Sequence, residues 1–177
     1  MRRREVSGWL GEMRREVADR VHRSRDPVAF WRTQGATIGE GCRLIGCNFG
    51  SEPYLVTLGD RVSATDASFV THDGGVWVFR AEWPDADVVA PITVGSNVFL
   101  GTGVLVLPGV TIGDDVVVGA MSVVTRDVGS GTVAAGVPAR PLRGLDEYRA
   151  ALEPLTVPTA HLDRRAKREW LLRHFGR

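Results

Sequence analysis

A repeat of six residues dominates the middle of this chain. From position 94 onward an aliphatic residue occupies every sixth position: Val94, Leu100, Val106, Ile112, Val118 and Val124. A second set of mostly aliphatic residues follows four positions later in each unit: Val98, Val104, Val110, Val116, Ser122 and Val128. Neither an α-helix, with a period of 3.6, nor a plain strand, with a period of 2, generates this spacing. The pattern predicts short strands joined by sharp corners and stacked in layers about 4.8 Å apart, which is typical of a parallel β-helix.

Similar but less regular units fill residues 36–70, in the segments "IGEGCR", "LGDRVS" and "ATDASF". Glycine, asparagine and aspartate beside the aliphatic positions supply the corners, because these residues tolerate unusual backbone angles. Leu44 and Leu58 are fourteen positions apart rather than twelve, so we expect two extra residues to bulge out near "FGSEPY". The predicted repeat domain runs from 36 to 143 and is interrupted by a protruding loop at 72–91.

The two ends of the chain follow a different pattern. Trp9, Met13, Val17 and Val21 recur at every fourth position, which predicts an amphipathic helix, and "LDEYRAAL" and "HLDRRAKREWLLRHF" are also predicted to be helical. We therefore expect an all-β solenoid with an α-helical N-terminal flank (1–35) and an α-helical C-terminal flank (144–177). These flanks would cover the strand edges that the end coils otherwise expose.

The charge balance gives no reason to expect nucleic acid as a partner. Lysine and arginine total 22 against 21 aspartates and glutamates, so the net charge is +1. The arginines near the N-terminus are interpreted as a solvated helix face, with attraction to an anionic ligand as the alternative. No apolar run follows them, and the most apolar window, "VFLGTGVLVLPGV", is too short to span a bilayer. Cys42 and Cys47 lack metal-ligand spacing, so we expect reduced cysteines and a cytoplasmic protein.

The segment "PITVGSNVFLGTGVLVLPGVTIGDDVVVGAMSVVTRDV", followed by "VAAGVPARPLR", closely resembles the hexapeptide-repeat acyltransferases. The pattern is most similar to the sugar and polysaccharide O-acetyltransferases and to the galactoside and maltose acetyltransferases. This resemblance covers roughly residues 36–143 and implies a left-handed parallel β-helix, a homotrimer, and acetyl-CoA as co-substrate without a metal. The left hand is implied by the resemblance alone, since parallel crossovers are otherwise almost always right-handed.

The resemblance assigns six positions to acetyl-CoA, which in the family lies in a groove between subunits: Thr102, Ala120, Thr125, Arg126, Arg140 and Arg143. The small residues Thr102 and Ala120 would let the backbone approach the ligand, and Ala120 would do so at the pantetheine arm. Thr125 and Arg126 would lie near the adenosine. Arg140 and Arg143 would hold phosphates, for which guanidinium groups are suited, or else they are plain surface charges.

His72 stands where the first run of repeats ends, in "FVTHDGGVWVFR". In the family a catalytic histidine lies beside a loop that helps to form the acceptor site, so the resemblance implies that His72 is the general base. It would deprotonate an acceptor hydroxyl during attack on the thioester, while a backbone amide at Thr102 or Gly103 stabilises the oxyanion. The other histidines lie in the flanks (His22, His161 and His174), which argues against the zinc-dependent carbonic anhydrases of this fold, because they need three histidines on successive coils.

The sequence leaves open which group orients the second imidazole nitrogen. Asp73 is adjacent, but successive residues of an extended chain point in opposite directions. Glu52 or Asp60 on the preceding coil can reach it instead, as can a backbone carbonyl. Three loop aromatics either stack on a sugar ring, cover the pantetheine, or pack on a neighbouring subunit: Trp77, Phe79 and Trp83.

These observations together predict an acetyl-CoA-dependent O-acetyltransferase that acts on a carbohydrate or a glycosylated metabolite. N-acetylation of an amino sugar or an antibiotic is the alternative within enzymes, and longer acyl donors such as succinyl-CoA stay open. The alternative from another class is a non-catalytic β-helix scaffold, which would need neither a histidine nor an aromatic loop at the break in the repeat.

Overall fold

The computed structural model describes residues 25–177, which divide into two compact units, one ending at 145 and the other spanning Asp146–Arg177. The division lies two residues beyond the predicted end of the repeat domain. The predicted amphipathic helix near the N-terminus and His22 lie outside the described residues.

The first unit begins with helix α1 (Pro27–Thr33), whose start is capped by the Asp26 carboxylate. Trp31 of this helix is buried and stacks on Phe49, with ring centroids 4.7 Å apart. Phe49 in turn contacts Phe69, again at 4.7 Å between ring centroids. The helix is thereby attached to the core of the first coils through a column of aromatic rings.

Three sheets of short strands, parallel apart from one edge strand, form the body of this unit. The first sheet contains β1 (Thr37–Ile38), β3 (Val56–Leu58), β8 (Ile92–Val94) and β11 (Thr111–Ile112). The second contains β2 (Arg43–Ile45), β4 (Ser63–Thr65), β9 (Phe99–Leu100), β12 (Val117–Val118), β14 (Thr132–Gly136) and the antiparallel edge strand β15 (Ala139–Gly144). The third contains β5 (Ser68–Phe69), β10 (Leu105–Val106) and β13 (Val123–Val124).

The chain visits the three sheets in rotation, so the six-residue period corresponds to one strand and one corner. Thr93 pairs with Thr111, and Leu100 pairs with Val118, in both cases 18 positions later. Three units therefore complete one coil. Both sets of repeat positions from 94 to 128 are buried, none of them more than 6% exposed. The hand of the coil stays a prediction.

Two departures from the 18-residue coil shape the molecule. Thr37 pairs with Thr57, 20 positions later, and a 3₁₀ turn at Pro53–Leu55 takes up the excess that the spacing predicts near "FGSEPY". Leu58 then pairs with Val94, 36 positions later, because the loop after β5 is as long as a whole coil. This loop carries its own antiparallel pair, β6 (His72–Asp73) with β7 (Val88–Val89), and a 3₁₀ helix at Gly74–Phe79.

Three corners join the sheets, and we name them by order: the first corner joins the first sheet to the second, the second corner joins the second to the third, and the third corner returns to the first. At the first corner each coil is tied to the next by side chains. Asp60 accepts the Glu40 N–H at 2.8 Å, and Ser96 accepts the Asp60 N–H at 3.1 Å. The protruding loop interrupts the third corner.

The second unit consists mainly of helices. Helix α2 (Leu145–Leu152) begins at the last residue of the first unit, and a 3₁₀ turn follows it at Glu153–Leu155. Helix α3 (Arg164–His174) is capped by Asp163, which accepts the N–H groups of Arg165 and Ala166. Within 25–177, no helix combines the length and apolar character that crossing a bilayer requires.

Candidate active site

His72 lies at the neck of the protruding loop, on the third corner. Its strand β6 pairs with β7, so that His72 stands opposite Val89 at the far end of the loop. One residue earlier, the carbonyl of Thr71 accepts the N–H of Ala90 at 2.8 Å. The two ends of the loop are thus joined by backbone hydrogen bonds, and the histidine is held at their junction.

Glu52 contacts the imidazole from the preceding coil. Its Oε2 lies 2.9 Å from Nδ1 of His72, and the two side chains are 20% and 43% exposed, respectively. Glu52 directly precedes the 3₁₀ turn at Pro53–Leu55. The same two-residue excess that creates this turn therefore places the carboxylate on the third corner, one coil before the histidine.

Thr71 is the part of this cluster that the sequence does not predict. Its side chain is fully buried, and its hydroxyl donates to the same Glu52 Oε2 at 2.6 Å. The Thr71 hydroxyl, followed by His72, lowers the pKa of Glu52. A signal was available, because alternation from the inward Phe69 predicts an inward polar residue beside the candidate base.

The contacts define what the imidazole can do. An ionised carboxylate only accepts hydrogen bonds, so Nδ1 of a neutral His72 carries the hydrogen and Nε2 keeps its lone pair. A lone pair on Nε2 can accept a proton, and Glu52 can stabilise the imidazolium that results. The pair therefore has the arrangement that a general base requires.

Asp73 and Asp60, the other carboxylates considered from the sequence, have different partners. Asp73 accepts the Gly75 N–H at 2.8 Å and caps the 3₁₀ helix of the loop. Asp60 belongs to the first corner, where it accepts the Glu40 N–H. Of these carboxylates, Glu52 is the one that the structure brings to the imidazole.

A cleft of about 270 Å³ opens beside His72, between the loop and the third corner. Four apolar side chains form part of its wall: Val76, Trp77, Val88 and Val89. Besides Glu52 and His72, three charged side chains line it: Asp73, Arg80 and Asp87. Trp77 is 74% exposed, so its indole ring offers a flat apolar surface at the cleft.

Arg80 holds the loop together from inside. Its guanidinium donates to the carbonyls of Pro84 and Ala86 at 2.9 and 2.8 Å, and it lies 3.3 Å from Asp87. The other two aromatic residues of the loop, Phe79 and Trp83, contact each other with ring centroids 5.2 Å apart. Both are partly exposed, and Trp77 is the one that lines the cleft.

Thr102 and Ala120 lie at the second corner, on successive coils. The Met121 N–H donates to the carbonyl of Thr102 at 2.8 Å, so these two turns are stacked directly. A Cβ on Gly101 would lie 2.5 Å from the Ala120 nitrogen, so the approach of the backbones requires glycine. Gly103 already donates its N–H to the Thr65 carbonyl at 3.1 Å. Within one chain the third sheet separates this corner from His72.

The remaining positions assigned to acetyl-CoA lie just after the last strand of the third sheet and on the edge strand of the second. Thr125 and Arg126 come directly after β13, on the third corner, and Arg126 is exposed. Arg140 and Arg143 lie on the edge strand β15, opposite Ala135 and Val133 respectively, and both are exposed.

Comparison with known proteins agrees with this architecture. Residues 91–126 match the family described as bacterial transferase hexapeptide (six repeats). Protein CapG of Staphylococcus aureus is 41% identical over 148 residues, which cover 81% of this chain and 86% of that protein. Galactoside O-acetyltransferase of Escherichia coli (strain K12) is 38% identical over 96 residues, 54% of this chain and 47% of that protein.

Solved structures match over most of the chain. A hexapeptide-repeat acetyltransferase of Vibrio cholerae, complexed with acetyl coenzyme A, superimposes with a TM-score of 0.57 at 25% identity. The match covers 72% of this chain and 84% of that one. A maltose O-acetyltransferase of Clostridium difficile has the same fold, with a TM-score of 0.56 at 24% identity over 73% of this chain and 83% of that one.

Proposed function

Because this chain belongs to the bacterial hexapeptide-repeat transferases, we propose that it transfers an acetyl group from acetyl-CoA to a hydroxyl of a carbohydrate or a glycosylated metabolite. The family predicted from the sequence is confirmed by these relatives. The observation that carries the proposed reaction is the His72–Glu52 pair at the mouth of a cleft. The left-handed course of the coil belongs to the same proposal.

The proposed reaction is direct transfer in a complex of both substrates. Glu52 fixes the hydrogen on Nδ1, and Nε2 of His72 removes the proton from the acceptor hydroxyl. The acceptor oxygen forms a bond to the thioester carbonyl carbon, and the tetrahedral intermediate then breaks its carbon–sulfur bond. The proton held on Nε2 passes to the departing thiolate, so His72 returns to its neutral form and CoA leaves as the thiol.

The oxyanion of that intermediate needs a hydrogen-bond donor. Of the two amides considered from the sequence, the Gly103 N–H is already donated to Thr65. The proposal therefore assigns this role to the Thr102 N–H. The carbonyl of the same residue accepts the Met121 N–H, which keeps the turn in place without using the amide.

The site is proposed to form between subunits. His72 is on the third corner of a chain and the proposed donor residues Thr102 and Ala120 are on the second, so one chain does not bring them together. A homotrimer in which the second corner of one subunit faces the third corner of the next would do so. Closed cyclic symmetry is the usual way in which identical subunits repeat such a contact.

The remaining assignments follow the chemistry of the two substrates. Arg126, Arg140 and Arg143 are proposed to bind the phosphates of acetyl-CoA, and Thr125 to lie near its adenosine. An exposed indole beside a proton acceptor suits a sugar ring, whose apolar face stacks on aromatic groups. Trp77 is therefore proposed to bind the acceptor, with Phe79 and Trp83 supporting the loop and Asp73 shaping its start.

Acceptor-dependent release of CoA tests this function. The purified chain is incubated with acetyl-CoA and a panel of neutral saccharides, amino sugars and sugar nucleotides, and free thiol is measured. We expect release with a saccharide and an ester product that hydroxylamine cleaves. Base-stable amide products alone would show N-acetylation instead. No acceptor-dependent release, together with no rise in melting temperature on adding CoA, would contradict the proposal.

A further inference from the structure

We propose that Thr71 is a positioning residue for the transfer reaction, because its buried hydroxyl fixes the carboxylate that holds the imidazole of His72. The inference rests on the proposed function, in which His72 is the base. It adds a third member to the pair, a threonine that contacts neither substrate and acts through Glu52.

Two donors converge on one oxygen in this cluster. Oε2 of Glu52 accepts the Thr71 hydroxyl at 2.6 Å and Nδ1 of His72 at 2.9 Å. The threonine must be the donor, because an ionised carboxylate has no hydrogen to give. A hydrogen bond to a charged group is among the stronger ones in proteins, and its short distance here agrees with that.

The position of Thr71 makes its hydroxyl a rigid support. The side chain is fully buried, and a β-branched side chain has few χ1 rotamers. Its carbonyl accepts the Ala90 N–H, so its backbone is also held at the neck of the loop. By contrast, Glu52 has three rotatable side-chain bonds and is 20% exposed. Without the hydroxyl, the carboxylate would have other rotamers that leave Nδ1 without its partner.

The other charged groups of the cleft are engaged elsewhere. Asp73 caps the 3₁₀ helix through the Gly75 N–H, and Arg80 lies against Asp87. Thr71 also accounts for the largest part of the lowered pKa of Glu52, ahead of His72. The threonine therefore favours both the orientation and the ionised form of the group that fixes the tautomer of His72.

Three substitutions separate the hydroxyl from the shape of the side chain. Thr71→Val keeps the shape and removes the donor, Thr71→Ser keeps the donor and removes a methyl group, and Thr71→Cys retains only a weak donor. We expect Thr71→Val to lower kcat about tenfold or more with an unchanged KM for acetyl-CoA. Thr71→Ser should recover most of the lost rate, and Thr71→Cys should fall between them. If Thr71→Val does not fold, the ranking of serine above cysteine decides the question.

A double-mutant cycle tests whether the threonine acts through the carboxylate. In the Glu52→Gln background, Thr71→Val should change kcat less than about twofold, because the partner it supports is already lost. The matched control is Thr159→Val, which removes the hydroxyl of a buried threonine in the second unit and should leave kcat unchanged. An equal effect of Thr71→Val in both backgrounds, or a serine variant as slow as the valine variant, would overturn the proposal.

Nuclear magnetic resonance of ¹⁵N-labelled histidine gives a readout that needs no turnover. We expect neutral His72 in the wild type to carry its hydrogen on Nδ1, with the signal assigned by its loss in His72→Asn. Thr71→Val should shift the population towards the other tautomer. An unchanged tautomer in Thr71→Val would refute the positioning role. If instead no acceptor supports turnover while the tautomer still shifts, the proposed function fails, and what stands is that Thr71 sets the tautomer of His72 through Glu52.

Discussion

Replacing Glu52 by glutamine changes the proposed catalytic pair with little change in shape. The variant loses the charge that accepts the Nδ1 hydrogen at 2.9 Å. A hydrogen bond to a charged group is worth about 1.5–3 kcal/mol. Since His72 becomes an imidazolium only during proton transfer, most of this energy is expressed in the transition state. We therefore expect kcat to fall about tenfold to a hundredfold.

Steady-state kinetics with acetyl-CoA and the preferred acceptor measure this effect. The KM for acetyl-CoA should stay near the wild-type value, because Glu52 is outside the proposed donor site. Glu40→Gln is the matched control, since Glu40 is 87% exposed and forms a surface ion pair with Arg32. Loss of activity in the control, or a Glu52→Gln variant with wild-type kcat, would refute the reasoning.

The same variant has a pH signature in stability. The pKa of Glu52 is lowered in the folded chain, first by the Thr71 hydroxyl and then by His72, from an ordinary value of 4.5. A lowered pKa stabilises the fold above the ordinary value, and this contribution disappears as pH falls through the folded value. Denaturation should therefore show a wild-type advantage over Glu52→Gln at neutral pH that shrinks below about pH 4.5. An advantage that does not depend on pH would contradict this assignment.

Further predictions concern the corner, the donor site and the assembly. Gly101→Ala should lower the melting temperature by several degrees, because its Cβ would lie 2.5 Å from the Ala120 nitrogen. Gly144→Ala is the control and should leave the melting temperature unchanged, because a Cβ there meets open space. Equal melting temperatures of the two variants would contradict the stacked corner. Alanine at Arg126, Arg140 or Arg143 should raise the KM for acetyl-CoA with less effect on kcat. If the contact is to the 3′-phosphate, the variant should discriminate less than the wild type between CoA and dephospho-CoA. Unchanged affinity for acetyl-CoA in all three variants would contradict the assignment. Light scattering should give three times the chain mass of 19.2 kDa, and a monomer at micromolar concentration would contradict the trimer.

The repeat could be predicted from the sequence because its physical cause is local. An inward residue at every sixth position is buried whatever the neighbouring coils contain, and Leu100 and Val118 meet in the register that this period requires. The two-residue excess before Leu58 could be counted in the same way. The hand of the coil could not, since an aliphatic period of six is compatible with either direction.

The partner of His72 depends on the path of the chain at one corner. Spacing alone allowed three carboxylates as the partner of His72. Asp73 is adjacent in sequence, and Glu52 and Asp60 lie on the preceding coil. The choice follows from the 3₁₀ turn after Glu52 and from the helix cap made by Asp73, which are settled by backbone geometry. Thr71 lies between β5 and β6, and its residue type alone does not mark it. Its burial is the signal, and that can be inferred only from alternation with the inward Phe69.

His72→Ala tests the central claim most directly. General-base catalysis contributes about 10²–10⁴-fold, so kcat should fall at least about a hundredfold, with acetyl-CoA affinity nearly unchanged. His161→Ala, which removes an exposed histidine of the second unit, is the matched control and should keep the wild-type rate. An alanine variant of His72 that acetylates the acceptor at close to the wild-type rate would contradict the assignment of the base and of the site built around it.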